Sequence, residues 1–325
     1  MEKVEVSVVI PVYNQEDWLS ETLGSLLKQT YCDFEVIIVN DGSLDRSGQI
    51  MDEYCRKDKR FKRFDIVNSG VVAARHYGRL QASGNYLLYL DGDDFLEPEA
   101  IGQLLSVALA RDADMVFMDY RTVDVQGNKM EEVINRIVGD PSNLTVLNDM
   151  YLGNVQWAVW GYLHKATLYK NMEYPDCRLV IGEDCLLTSM LLQNAEVILK
   201  CDKALLNYRV RSDSATKTKE LSDRGYESYR LFPELTEQLF EDTPMAPALE
   251  MGIAFLKVRA AVEPLHYHRY DDAVRRCRMA ARALKRFPGL KSRISVHELK
   301  LIKDFALFNW LGKRRMERYI RKGCV

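Results

Sequence analysis

Residues 6–43 read VSVVIPVYNQEDWLSETLGSLLKQTYCDFEVIIVNDGS. Two β-branched runs, Val6 to Val12 and Val36 to Val39, flank a stretch in which Trp18, Leu19, Leu23, Leu26 and Leu27 recur at helical spacing. Continuous apolar runs, as opposed to alternating ones, belong to strands buried on both faces. That is the pattern of a mainly parallel sheet flanked by helices. Asn14 is placed to cap the intervening helix, with Asp17 as a capping-box-like partner. Asn40-Asp41-Gly42-Ser43 ends the second strand in a turn.

Working outward, the alternation continues. A helix runs through Ile50, Met51 and Tyr54, followed by a weaker strand from Phe61 to Val67. Asn68-Ser69-Gly70 opens a helix through His76 and Leu80. Tyr86 to Leu90 is a third apolar strand, Pro98 suits the first turn of the next helix, and Met115 to Met118 is a further strand. Glu183 to Leu192 is helical. From about Lys219 onward helical patterns displace strand signals. The expected organisation is an α/β domain over 1–218 and a helical C-terminal region with a basic tail over 219–325.

Composition narrows the function. Of 325 residues, 47% are hydrophobic and 28% charged, and the net charge is −2, so the chain lacks the basic bias of a nucleic-acid binder. Seven cysteines without CxxC spacing disfavour a disulfide framework or a structural zinc site and fit reduced thiols in the cytoplasm. No apolar run approaches the roughly 20 residues of a spanning helix.

Ligands of such sheets sit beyond the carboxyl ends of the strands. There the sequence places acidic turns with Asp41, Asp91 and Asp93. In LYLDGDDFLEP, residues 88–98, a strand delivers three carboxylates into one turn. Carboxylates this close repel, and a hard divalent cation, Mn2+ or Mg2+, relieves the repulsion while sharing its shell with phosphates. Taken singly, these features have plainer readings. The DGDD turn can be a helix-capping surface turn, Asp41 an Asx turn, and Gly182-Glu183-Asp184 the usual acidic start of a helix.

In order along the chain, Pro11-Val12-Tyr13-Asn14, Asn40-Asp41-Gly42-Ser43, the segment Gly70 to Gly78 around Ala74-Arg75, Asp91-Gly92-Asp93-Asp94 and Gly182-Glu183-Asp184 resemble the five marks of glycosyltransferase family 2. The resemblance spans about residues 5–216. It implies a GT-A fold, Rossmann-like, around a nucleotide-sugar site. It also implies metal-dependent, inverting transfer of a hexose-type sugar to an acceptor hydroxyl, in bacterial polysaccharide or glycan biosynthesis. UDP stands ahead of GDP or dTDP on family frequency. Pro11, Val12 and Tyr13 resemble the residues around the base, Asp41 the nucleoside-binding aspartate, and Arg75 an arginine near the nucleotide. Asp91, with Gly92, resembles the turn at the ribose and metal, Asp93 the metal contact, and Asp184 the catalytic base, with Glu183 as second choice. His76 departs from the family's usual Asn, and Trp160-Gly161-Tyr162 from its "W-N-K".

Independently of family, a poorly nucleophilic hydroxyl needs a general base, worth about 10²–10⁴-fold in rate. Trp157, Trp160 and Tyr162 suit either a sugar platform or the core. Arg209 and Arg211 suit either the diphosphate or a solvated loop. Between Lys285 and Val325 twelve Lys and Arg outnumber three Asp and Glu. The aromatic, basic stretch from Phe305 to Lys322 suits a glycan or lipid-linked acceptor at the inner face of the cell membrane, or a docked helix with a solvated basic face. Two rivals are an inactive nucleotide-sugar-binding module and a sugar nucleotidyltransferase, which would carry a Gly-rich basic loop where this chain has PVYNQED. A dehydrogenase is disfavoured because no GxGxxG follows the first strand.

Overall fold

Every residue of β1 (Val6–Val12) and β2 (Phe34–Asn40) is buried, and the two strands pair in parallel register, Val6 opposite Phe34 and Val12 opposite Asn40. The apolar stretches Val8–Val12 and Val36–Val39 dictate this, since neither face can be left to water, while the buried Ser7 donates its hydroxyl to Glu35 Oε1 at 2.7 Å. The computed structural model describes residues 4–174, 179–211, 223–261 and 269–307. They divide into two compact units, residues 1–146 with 155–218, and residues 147–154 with 219–325.

In the first unit β3 (Phe61–Asp65) and β4 (Tyr86–Tyr89) extend the parallel sheet on either side, giving the order β3-β2-β1-β4. Beyond β4 the sheet is mixed. β8 (Tyr162–Lys165) is antiparallel to β4 and to β6 (Met115–Val123), and β6 runs parallel to β9 (Ile198–Arg209). The short β5 (Phe95–Leu96) is antiparallel to β9, and β7 (Lys129–Val133) to β6. An apolar run such as Met115 to Met118 marks a strand but not its direction, so the antiparallel pairings beyond β4 were not legible in the sequence.

The sheet is covered on both faces. Val6, Val8, Ile10 and Val12 pack with Leu19, Leu23 and Leu26 of α1 (Leu19–Leu27) and with Met51 of α2 (Ser47–Lys57). Each fully buried aliphatic side chain contributes roughly 1.5–3 kcal/mol. On the other face lies α3 (Val71–Gln81). A Cβ at Gly78 would stand 2.4 Å from Val9 Cγ1 and 3.1 Å from Val39 Cγ2, so only glycine lets this helix approach so closely. α4 (Ala100–Ala110), α5 (Asn143–Tyr151) and α6 (Glu183–Asn194) complete the helices up to residue 211.

One capping expectation fails. Asn14 has a left-handed φ of 50° and α1 begins only at Leu19, with no side-chain cap. The Asn14 Oδ1 accepts the Leu44 N–H at 2.8 Å, while the Gln15 N–H donates to Ser47 Oγ and the Glu16 N–H to Asp45 Oδ2. These residues tie two loops at the sheet's edge, a long-range use that local helix rules cannot anticipate.

In the second unit the described segments from 223 onward are helical: α7 (Asp223–Phe240), α8 (Ala246–Arg259), α9 (Tyr270–Arg286) and α10 (Val296–Leu307). Ala273, Val274, Cys277, Ala280 and Leu284 line the buried stripe of α9, against Phe255, Leu301, Ile302 and Phe305. Ser295 and Glu298 form a reciprocal capping box for α10. Beyond Leu307, the basic tail lies outside the described residues.

Candidate active site

At the tip of β1 the Val12 carbonyl accepts the Asp41 N–H at 2.8 Å, which fixes the β2 turn beside it. Asn40 Oδ1 accepts the Ser43 N–H at 3.0 Å, and Gly42 takes a φ of 72°. Asp41 is buried, and both of its oxygens are engaged. Oδ1 accepts the Ser69 N–H at 2.7 Å and Oδ2 the Gly70 N–H at 2.8 Å. Asp41 thus secures the backbone at the amino end of α3. Pro11 and Val12 are buried in β1, whereas Tyr13 is 46% exposed. Of these three residues, Tyr13 is the side chain open to a ligand.

The DGDD turn follows β4. A Cβ on Gly92 would lie 3.3 Å from the Gln15 side chain and 3.6 Å from the Pro11 carbonyl, so the turn sits against the end of β1. Asp91 Oδ1 receives Arg75 Nη2 at 2.8 Å, and Asp93 Oδ2 pairs with Arg211 Nη2 at 2.8 Å. Asp94 is buried. Its Oδ1 accepts the Arg209 N–H at 2.8 Å, while its Oδ2 is buried without a hydrogen-bond partner. Burial, with Asp93 and Asp91 adding repulsion, lifts the Asp94 carboxyl well above the usual range. Burial and Asp91 likewise raise Asp93, despite Arg211.

Three carboxylates in one turn face Arg211 and an Arg75 that is shared with Asp184, and they offer hard oxygen donors, which fits a magnesium or manganese ion. Among the described residues no three acidic, His or Cys side chains converge into a complete cage. A cation held by Asp93 and Asp91 would therefore take its remaining ligands from outside the protein, as phosphates can provide.

The third element is the start of α6. Gly182, with φ 78°, turns the chain so that Glu183 and Asp184 open the helix. Arg75 Nη1 donates to Asp184 Oδ1 at 2.6 Å while its Nη2 holds Asp91. Burial opposes the charge of Arg75, but Asp184, Asp91 and Glu183 overcome this and hold the guanidinium well above its ordinary value. Burial raises Asp184, with Arg75 pulling the other way. Glu183 is pushed up to about 7, by burial first and Asp184 second. One arginine on α3 therefore joins the DGDD turn to the Gly182-Glu183-Asp184 segment, and Asp41 secures the start of that same helix.

Local packing decides two readings that the sequence leaves open. Arg209 is 2% exposed and fully engaged. Its Nε donates to the Asp93 carbonyl at 3.0 Å, its Nη1 to the Val125 and Asp124 carbonyls, and its Nη2 pairs with Glu21, over the Trp18 ring. It shapes the DGDD turn and leaves Arg211 as the one of the two that pairs with Asp93. Trp160 and Tyr162 are buried, Trp160 stacked on Tyr208 and the Tyr162 hydroxyl 2.7 Å from Thr188 Oγ1, so they are core and not a sugar platform. The residues 212–214 that follow Arg211 lie outside the described residues. Sequence reading missed the pairing of Arg75 with two acids 16 and 109 positions away, for which no local signal exists.

With this geometry established, known proteins give the kinship. The family model for Glycosyl transferase family 2 matches residues 7–181. The chain is 30% identical over 225 residues to glycosyltransferase GlyA of Streptococcus pneumoniae, covering 66% of this chain and 32% of GlyA. It is 30% identical over 217 residues to the uncharacterized glycosyltransferase EpsJ of Bacillus subtilis, covering 65% of this chain and 63% of EpsJ. It thus spans less than two thirds of either relative. The crystal structure of S. aureus TarS residues 1–349 in complex with UDP-GlcNAc superposes with a TM-score of 0.71 at 21% identity, over 98% of this chain and 92% of that one. The architecture is therefore the GT-A fold, and the chain belongs to glycosyl transferase family 2.

Proposed function

We propose that this chain transfers a hexose-type sugar from a UDP-sugar to an acceptor hydroxyl with inversion at the anomeric carbon, and that Asp184 is the general base. The observation that carries this reading is the Arg75 bridge, which holds Asp91 of the donor-side turn and Asp184 of α6 in one cluster. Family membership supports sugar transfer, and S. aureus TarS, of the same fold, is a UDP-GlcNAc-binding precedent for the donor.

Asp93 and Asp91 would hold a magnesium or manganese ion, which supplies electrostatic stabilisation to the negative charge developing on the leaving UDP. Tyr13 offers its exposed ring to the base. Arg75 fixes Asp184 through Oδ1. Among the described residues Asp184 Oδ2 meets only the Val159 N–H, at 3.4 Å, and is the oxygen that takes the acceptor's proton. The acceptor oxygen attacks the anomeric carbon opposite the UDP oxygen. The new C–O bond forms as the bond to UDP breaks, and the hydroxyl proton passes to Asp184. Burial first, and the charge of Asp91 second, keep the proton affinity of Asp184 above its ordinary value, which suits a general base.

The acceptor in this reading is a glycan or lipid-linked chain, at the cytoplasmic face of the cell membrane, with contact through the basic C-terminal sequence. Among the described residues no helix is long and apolar enough to cross a membrane. The test is a panel of nucleotide sugars with manganese, scoring released nucleoside diphosphate, on the parent and on Asp184→Asn. The variant should bind UDP nearly unchanged and lose transfer. Full turnover in Asp184→Asn would remove that residue from its role, and UDP binding with no transfer or donor hydrolysis in the parent would leave a binding module.

A further inference from the structure

Helix α3 carries a second arginine that the site above does not use. Arg79 lies four residues past Arg75, about 6 Å along the axis. Its guanidinium carbon stands 4.6 Å from the centroid of the Tyr169 ring and 5.8 Å from that of Tyr174. Among the described residues no carboxylate pairs with it, and its Nε is buried without a hydrogen-bond partner. His76, three residues before it, packs its ring 4.4 Å from that of Tyr174 and buries Nδ1 without a partner. The charge of Arg79, adding to burial, disfavours protonation of that imidazole. The Tyr89 hydroxyl reaches the Tyr169 hydroxyl at 2.9 Å and the Tyr174 hydroxyl at 3.4 Å, so β4 braces both aromatic walls.

The neighbouring buried arginines, Arg75 and Arg209, have their carboxylates. Arg79 has none among the described residues, and a half-buried guanidinium beside an unsatisfied imidazole is an electrostatic deficit that an oxyanion would fill. A phosphate group suits the forked donors of arginine, with the imidazole as a further donor. The donor-side residues Asp41, Asp93 and Arg211 belong to other loops. Tyr169 and Tyr174 belong to the stretch that leads into Glu183 and Asp184.

We propose that Arg79 and His76, walled by Tyr169 and Tyr174, form a subsite for a phosphate group carried by the acceptor. The word acceptor rests on the transferase reading above, whereas the anion site does not. Titration calorimetry of the full chain with inorganic phosphate and with glycerol phosphate, against glycerol as the neutral control, tests it with and without saturating UDP. Phosphate should bind in the presence of UDP, and Arg79→Gln should weaken it by about tenfold or more while leaving UDP affinity unchanged. Arg79→Lys should retain part of the binding, His76→Asn should weaken it less than Arg79→Gln does, and melting curves establish that each variant is folded. In transfer assays Arg79→Gln should raise KM for a phosphorylated acceptor and leave kcat and the KM of a neutral acceptor unchanged. Unaltered phosphate affinity in Arg79→Gln, or displacement of phosphate by UDP, overturns the proposal, the second outcome assigning the anion to the donor diphosphate. Loss of phosphate binding in Arg79→Gln with no sugar transfer by the parent would keep the anion site and sink the transferase reading.

Discussion

Replacing Glu183 by Gln should make the protein more stable, and only above a defined pH. Glu183 sits at the start of α6 with its carboxyl raised from 4.5 to about 7 by burial and by Asp184. Between those values the folded protein binds a proton that the unfolded chain has released, so the stability of the parent falls as pH rises through the window. Below about pH 4.5 both states are protonated and the residue carries no penalty. Above about 7 the penalty is complete, at roughly 3 kcal/mol from about 1.4 kcal/mol per pH unit. Glutamine keeps the shape and does not titrate. Urea denaturation of both proteins from pH 4.5 to 8.5, with EDTA present so that no divalent cation contributes, reads the difference directly. The curves should nearly coincide at the acid end and separate progressively, with Glu183→Gln the more stable at pH 8. A difference that does not vary with pH, or a parent that gains on Glu183→Gln as pH rises, would refute the assignment of a strained carboxylate at this position.

Two further substitutions test the frame around the site. Arg209→Met removes donors from the Asp93, Asp124 and Val125 carbonyls and leaves Glu21 unpaired; it should cost about 3 kcal/mol in chemical denaturation yet leave the Kd for UDP within about threefold. A large loss of UDP affinity in a folded Arg209→Met protein would return this arginine to the diphosphate. Gly78→Ala forces a methyl to within 2.4 Å of Val9 Cγ1 and should destabilise by about 1–3 kcal/mol, measured by the same denaturation; a neutral result would mean that α3 is not seated as described.

The first strands and their tips were fully legible. Val8 to Val12 and Val36 to Val39 have no polar interruption, so burial on both faces and parallel pairing followed from the apolar pattern, and turn chemistry placed Asn40 to Ser43 and Asp91 to Asp94 beyond strand ends. The order of the five motifs is by itself enough to point to the family. What the sequence could not supply was the partner of each charged group. Asp41 engages the backbone of Ser69 and Gly70, Arg209 holds the DGDD turn from behind, and Arg75 joins Asp91 to Asp184. Hydrophobic periodicity is a property of neighbours along the chain and survives without a structure. A buried ion pair is a property of two side chains brought together by the packing of separate elements, and the distance of about 3 Å that gives it its energy exists only once the helices and strands have been placed.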